Sequence, residues 1–301
     1  MSAAEALAPE QSVDEVRESL SVTEKGQPAN TIGNCRTVFC HDPLLRGAIR
    51  LNLLTDRVDI VRDLGWRRNT SALTDTDVKY LLLYFEQTYG LTSEKKMTAA
   101  LSIVANENCY HPIQDALNGL VWDGTPRIRS CLHHFLGADE SDYVEEMLKH
   151  FLLGAIRRVF RPGSKYEEML CLVGGQGAGK SSFFRLLAIR DEWFSDDLKK
   201  LDDDRVYLKL QGHWIIEMSE MLATSSAKSI EEIRSFISRQ KETYRTPYEA
   251  QPKDRLRQCV LGGSSNTLDF LPLDRAGNRR FLPIMIYPEN AEVHILEDED
   301  A

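Results

Sequence analysis

The chain lacks the features expected of a membrane or secreted protein. It has no apolar run long enough to span a bilayer and no recognisable secretory signal peptide. Its six cysteines are scattered without the spacing of a disulfide framework. Cys35, Cys40 and His41 have no second ligand pair at a suitable distance, which disfavours a structural zinc site. We therefore expect a reducing cytoplasm and no membrane partner.

An excess of basic residues is also missing. The chain has 37 lysines and arginines against 46 acids, which gives a formal net charge of -9. Such a chain has no global attraction to nucleic acid, so any DNA contact must come from a local basic surface. With 301 residues, 42% of them hydrophobic, it is still large enough to fold as two domains.

A glycine-rich stretch in the middle of the chain carries the strongest chemical signal. It follows the apolar run 169–173, and Gly174, Gly179, Lys180 and Ser181 fit the spacing G-x-x-x-x-G-K-[ST] of a phosphate-binding loop. Backbone N–H groups and a helix N-terminus bind phosphate oxygens in such loops, the lysine reaches the β- and γ-phosphates, and the serine binds Mg²⁺. A plain strand-to-helix turn is the alternative. We expect ATP to contact the whole loop, namely Gly174, Gly175, Gln176, Gly177, Ala178, Gly179, Lys180, Ser181 and Ser182.

Two later strand candidates predict the remainder of a hydrolytic site. The apolar stretch 212–217 ends in Glu217, with Glu220 behind it. An acid at such a strand end can hold Mg²⁺ and the attacking water. Glu217 and Glu220 are therefore both candidate catalytic acids, and Glu217 is also a candidate metal ligand. The sequence does not decide how the two acids divide these roles. The alternative is a buried strand end with two surface acids. The strand candidate 259–263 leads to Asn266, which can bind the γ-phosphate, orient the water, or merely cap a turn.

Arginines and acids elsewhere are weaker candidates. Arg279 and Arg280 precede the last strand candidate, 281–286, and one of them could reach a neighbouring subunit's nucleotide, an effect worth about 10³ to 10⁵ in rate. A structural role for both is the alternative. The acid runs 196–197 and 202–204 could hold metal, but we favour a solvated loop there.

A locally basic segment follows the second strand candidate. Bases outnumber acids between residues 228 and 280, and tyrosines and prolines are interleaved with them. This pattern suits a loop or hairpin that follows a phosphate backbone while its rings meet bases, although a solvated basic loop is the alternative. The candidate nucleic-acid contacts are Arg239, Lys241, Tyr244, Arg245, Tyr248, Lys253 and Arg255.

Periodicity and turn signals divide the chain into four segments. We expect a disordered acidic leader at 1–30, a mainly helical N-terminal domain at 31–162, a P-loop ATPase core at 163–290 and an acidic tail at 291–301. Helical spacing predicts amphipathic helices over 77–89, 94–106 and 143–160, and a capping box predicts one over 230–238.

Short segments occurring in a fixed order carry a family resemblance. They are YHP at 110–112, LVWDGTPR at 120–127, RPG at 161–163, GGQGAGKSS at 174–182, GHWIIEMSE at 212–220, YRTPY at 244–248, GSSN at 263–266 and GNRRF at 277–281. Together they resemble the virulence-associated protein E family of phages, plasmids and pathogenicity islands, AAA+ ATPases related to superfamily 3 helicases and primase-helicases. The resemblance extends over roughly residues 31–287.

The resemblance implies an α/β fold, with a P-loop AAA+ (superfamily 3 helicase-like) parallel-sheet core behind a mainly helical N-terminal domain. It also implies a homo-oligomer, as a hexameric ring with ATP between subunits and single-stranded DNA in the pore. Lys180 and Ser181 would be the phosphate-loop pair, Glu217 and Glu220 the acidic strand end, and Asn266 the γ-phosphate sensor. Arg279 or Arg280 would be the arginine finger, which contacts the nucleotide of a neighbouring subunit. Residues 241–257 would form the hairpin that faces the pore.

The function expected on this basis is an ATP-dependent DNA helicase or translocase that supports replication of a phage, plasmid or pathogenicity island. ATP and Mg²⁺ would be its cofactors, and a replication protein is a candidate partner. An ATP-gated switch that binds DNA or protein without unwinding is the alternative. A small-molecule kinase is a weaker reading, because neither a basic lid nor an acceptor pocket is clear in the sequence.

Overall fold

The computed structural model of the chain describes residues 11–198, 201, 206–218, 227–244, 252–268, 278–293 and 295. The chain forms two compact units that meet in sequence at residues 116 and 117. The predicted boundary, at 162 and 163, lies later. The difference arises because the helix over 142–160 packs on the sheet of the second unit, where its Ala155 carbonyl accepts a hydrogen bond from the Trp214 indole.

The first unit combines helices with one antiparallel strand pair. The predicted helices 77–89 and 94–106 are confirmed as α3 and α4, each within two residues of the expected ends. Its elements are α1 (Val13–Glu18), α2 (Ile32–His41), β1 (Ile49–Asn52), β2 (Arg57–Ile60), α3 (Asp75–Tyr89), α4 (Glu94–Glu107) and α5 (Pro112–Asn118), the last of which crosses the division.

The expected disordered leader is wrong where the structure describes it. Ser12 and Glu15 form a capping box that starts α1, and Val16 and Leu20 are buried in the core of the first unit. The amide of Asn34 accepts from the Ser21 backbone N–H. The segment is too short and too acidic to show a helical pattern by itself. The helix is stabilised instead by the burial of two apolar side chains in the core of the first unit.

The second unit is built on a five-stranded parallel sheet with strand order β4-β5-β8-β3-β9. A separate antiparallel hairpin, β6 and β7, is inserted between β5 and β8 in sequence. The elements are α6 (Ile128–Leu136), α7 (Asp142–Phe160), β3 (Met169–Val173), α8 (Lys180–Leu187), β4 (Phe194–Ser195), β5 (Ile215–Met218), α9 (Ala227–Ile237), β6 (Lys241–Tyr244), β7 (Lys253–Leu256), β8 (Val260–Ser265) and β9 (Phe281–Met285).

Helices cover both faces of this sheet. On one face Phe184 of α8 contacts Phe151 of α7 and lies so close to Gly262 of β8 that a Cβ there would come within 2.5 Å of its ring. On the other face α9 contributes Ile233 and Phe236 to a cluster that includes sheet residues of β3, β5 and β8. Helices on both faces leave the carboxyl ends of the strands as the accessible edge, where α/β proteins place their ligands. Among the described residues no helix is both long and apolar enough to cross a membrane.

Candidate functional site

A glycine-rich loop, residues 174–179, joins the carboxyl end of β3 to the start of α8. Gly179 is the N-cap of α8 and has φ +78°, a left-handed conformation that favours glycine. No side chain caps the helix. The first backbone N–H groups of α8 are therefore available to an anion, and the helix dipole adds partial positive charge at the same place.

Lys180 lies across this loop. Its ammonium group donates hydrogen bonds to the carbonyls of Gly174 at 2.6 Å and Gly175 at 2.7 Å, and to Oδ1 of Asn266 at 3.3 Å. Burial lowers the pKa of Lys180, and the charge of Glu217 acts in the opposite direction. The loop thus holds a cation beside the N-terminus of α8.

Glu217 of β5 is fully buried and shares one oxygen between two serines. Its Oε1 accepts from Ser181 Oγ at 2.9 Å and from Ser264 Oγ at 2.5 Å, whereas Oε2 is buried and has no hydrogen-bond partner among the described residues. Burial raises the pKa of Glu217, and the two serine hydrogen bonds lower it in part. A buried carboxylate oxygen without a partner is a costly arrangement that a ligand would relieve.

The donor set fits a divalent cation. Ser181 offers a hydroxyl oxygen and Glu217 a carboxylate oxygen, both of the hard type that Mg²⁺ prefers. The described residues contain no group of three or more His, Cys, Asp or Glu side chains arranged to hold a metal. A bound Mg²⁺ would therefore take its remaining ligands from phosphate oxygens and water, as is usual for this ion.

The residues expected to form a hydrolytic site are brought together from three separate strands. Lys180 and Ser181 follow β3, Glu217 lies on β5, and Asn266 follows β8, all at the carboxyl edge. Glu220 lies outside the described residues. Ser264 was missed as a site residue, although its position two residues before Asn266 was a usable signal. Its contact with Glu217 depends on β5 and β8 being neighbours.

The two candidate finger arginines lie at the opposite edge of the sheet. They precede Phe281, which pairs with Met169, the first residue of β3. The five residues of β3 separate this edge from the glycine-rich loop by about 13 Å. Arg280 donates to the carbonyl of Arg234 in α9 at 3.2 Å, whereas Arg279 is exposed. The structure therefore does not bring either arginine to the loop of its own chain.

The basic segment contains the hairpin β6–β7, and several of its candidate DNA contacts bind other side chains of the same unit. Lys241 pairs with Asp254 at 2.6 Å. The ring of Tyr244 stacks on Tyr207 with 6.0 Å between centroids, and the guanidinium of Arg255 lies 4.5 Å from the centroid of Tyr244. Arg239 donates to the hydroxyl of Tyr207. Lys253 is exposed on β7, and Arg245 and Tyr248 lie outside the described residues.

A buried ion pair fixes the base of the hairpin. Arg257, just after β7, pairs with Glu242 of β6, and their side chains are 1% and 7% exposed. Arg257 also donates to the carbonyl of Phe236 at 2.6 Å, near the end of α9. The base of the hairpin is thereby tied to α9.

Fold and site define a mixed α/β protein with a five-stranded parallel sheet, whose carboxyl edge carries a glycine-rich loop, a lysine and a buried acid. The sequence model of the virulence-associated protein E-like domain family matches residues 117–300, which is more than half of the chain. The chain therefore belongs to that family. The match begins where the second unit begins.

Solved structures of a larger protein region are also similar to the chain. Two apo structures of the NrS-1 C-terminal region (305–718) are 15% identical to it, with TM-scores of 0.47 and 0.44. The alignments cover 84% of this chain and 61% and 60% of those chains, so the chain spans about three fifths of their length. No curated protein shows a significant match.

Proposed function

We propose that the chain is a P-loop ATPase of the AAA+ type, acting as a DNA helicase or translocase in the cytoplasm during replication of a phage, plasmid or pathogenicity island. Family membership supports a role related to replication. One observation carries the ATPase proposal: Ser181 and Glu217 meet at 2.9 Å beside Lys180, and Glu217 keeps a buried oxygen that has no partner in the described part of the chain.

Each residue of the site has a defined task in hydrolysis. The N–H groups of the glycine-rich loop and the ammonium of Lys180 bind the phosphates, and Ser181 and Glu217 hold Mg²⁺. When bound, Mg²⁺ neutralises charge on the phosphate oxygens. Oε2 of Glu217 orients the attacking water, and Asn266, already within 3.3 Å of Lys180 Nζ, contacts the γ-phosphate.

Arg279 acts on the nucleotide of a neighbouring subunit. It is exposed at the amino edge, about 13 Å from the loop of its own chain, so it cannot complete its own site. A head-to-tail arrangement presents this edge to the loop of the next copy, and repetition of such a contact closes a ring. The proposal therefore includes a homo-oligomer, as a hexameric ring around single-stranded DNA.

ATP hydrolysis with and without single-stranded DNA tests this function. We expect DNA to stimulate hydrolysis, Lys180→Ala to abolish it, and the double variant Lys241→Ala/Lys253→Ala to lose only the stimulation. Lys165→Ala is the matched control, because it removes a similarly exposed base of the same unit outside the hairpin. Strand displacement is the next measurement after a positive result.

A second candidate function is an ATP-gated switch that binds a partner without unwinding DNA. The specific observation in its favour is that Lys241, Tyr244 and Arg255 are engaged within the hairpin and its surroundings. Hydrolysis that is abolished by Lys180→Ala but indifferent to DNA would select the switch and reject the translocase. Failure of the wild-type chain to bind or hydrolyse ATP would reject both.

A further inference from the structure

A second carboxylate lies next to Glu217 across two neighbouring strands. In the parallel register of β4 and β5, Phe194 pairs with Ile215 and Ser195 with Ile216. Extending this register by one residue, past the end of β4, would bring Asp196 beside Glu217 at the carboxyl edge. Residues side by side in a sheet project to the same face, so this extension would place Asp196 on the face of Glu217 that Ser181 of α8 contacts.

Electrostatic effects support this placement. Burial is the largest cause of the raised pKa of Glu217, and the negative charge of Asp196 also raises it. Arg185, on α8, has its pKa raised first by its hydrogen bonds to Asp191 and, more weakly, by Asp196. Both effects agree with the placement of Asp196 that the strand register indicates.

The neighbouring acids Asp196 and Asp197 differ in their contacts. Asp197 pairs with Lys209 at 3.2 Å. Asp196 is exposed and makes no hydrogen bond or ion pair within the described part of the chain. Two carboxylates that have an oxygen without a partner among the described residues repel each other at close range, and a divalent cation would offset that repulsion.

We propose that Asp196 is a second carboxylate of the Mg²⁺ site, binding water molecules of the hydrated ion that Ser181 and Glu217 hold. This inference rests on the proposed ATPase function. Mg²⁺ commonly keeps several waters in proteins, and those waters need acceptors. Asp196 accepts from them on the open side of the site, opposite to the side closed by Ser264. The sequence-based preference for a solvated loop is thereby replaced, for Asp196 alone, by a positioning role.

Metal affinity tests the inference without relying on turnover. Mn²⁺ binding to the full chain, saturated with a non-hydrolysable ATP analogue, is measured by electron paramagnetic resonance for the wild type, Asp196→Asn and Asp197→Asn. Loss of an outer acceptor lowers metal affinity about 10- to 100-fold, so we expect that loss for Asp196→Asn and none for Asp197→Asn. Binding of a fluorescent ATP analogue in EDTA, and the melting temperature, should be unchanged in both variants.

Two further variants separate failure of this inference from failure of the proposed function. If Ser181→Ala and Glu217→Gln lose Mn²⁺ but Asp196→Asn binds it like the wild type, the Asp196 assignment is overturned and the ATPase site remains. If Ser181→Ala and Glu217→Gln bind Mn²⁺ as the wild type does, the metal site itself is misplaced and the proposed function fails with it.

Discussion

Ser264 donates a hydrogen bond of 2.5 Å to Oε1 of Glu217, and both side chains are buried. Because Ser181 donates to the same oxygen, the carboxylate is held in one rotation, with Oε2 left as its unpartnered oxygen. A serine of one strand thus orients the acid of the next. This relationship gives the first of four predictions.

Ser264→Ala should lower the rate of ATP hydrolysis and leave ATP binding intact. A hydrogen bond to a charged group contributes about 1.5–3 kcal/mol, which corresponds to about 10- to 100-fold in kcat. Ser264→Thr keeps the hydroxyl and should retain most of the rate. Steady-state kinetics measure kcat, and a direct binding titration measures the affinity for ATP. An unchanged kcat in Ser264→Ala would mean that the serine does not orient Glu217.

Asn266→Ala should affect ATP more than ADP. The amide oxygen lies 3.3 Å from Lys180 Nζ, at the end of the loop where a γ-phosphate is expected, so its removal takes away a polar contact that ADP cannot use. We expect kcat to fall by about 10²-fold while ADP affinity is unchanged. Equal losses of ATP and ADP affinity would instead indicate that Asn266 only supports the loop.

The two adjacent arginines should behave differently. Arg280→Ala removes a hydrogen bond to α9 and should lower the melting temperature, whereas the exposed Arg279 can be removed without that effect. Arg279→Ala should lower hydrolysis by about 10³-fold or more. Mixing Arg279→Ala chains with Lys180→Ala chains should restore part of the rate, because each supplies what the other lacks. No recovery on mixing would exclude a finger acting between subunits.

Asp77 should make the first unit sensitive to acid. Burial alone would raise its pKa, but hydrogen bonds from Trp66 and Thr74 and the charge of Arg68 outweigh burial and lower the pKa below the ordinary 3.8. An acid whose pKa is lowered by folding stabilises the fold above its unfolded pKa and loses that effect as pH falls through its folded pKa. Calorimetric unfolding of the wild type should therefore show stability falling below about pH 4.

Asp77→Asn tests this assignment. The variant should lose about 2 kcal/mol of unfolding free energy at pH 7 and show a smaller acid-dependent loss than the wild type. Asp75→Asn, at an exposed acid of the same helical turn, is the control for removing one acidic side chain from this helix start. If the unfolding free energy of Asp77→Asn depended on pH as that of the wild type does, the acid sensitivity would come from other groups.

The sequence predicted those parts of the site that are local in the chain. The glycine-rich loop follows from a short pattern in which the strand, the turn and the helix start are consecutive, and the structure places Lys180 and Ser181 accordingly. The acid at the end of β5 was predicted for the same reason. Helical periodicity predicted α3, α4 and α7, and their ends agree with the predicted ends within two residues.

Contacts that depend on strand order could not be predicted in this way. Ser264 contacts Glu217 only because β8 lies next to β5, and the position proposed for Asp196 depends in the same way on β4 lying on the other side of β5. The sequence of each strand does not indicate which strands are its neighbours. The basic hairpin shows a related limit: the sequence shows that Lys241 and Tyr244 are present, but not that Asp254 and Tyr207 engage them. Burial of Val16 likewise depends on distant residues of the first unit.

Arg279 and Lys180 lie at opposite edges of one sheet, and this makes activity depend on protein concentration. Under the proposed function each copy carries two halves of different sites, and a solitary copy is chemically incomplete. Its specific activity would rise with its own concentration, steeply near the assembly threshold and little above it. The number of copies in the cell would then determine whether ATP hydrolysis begins. Dilution of the protein would stop hydrolysis without any inhibitor.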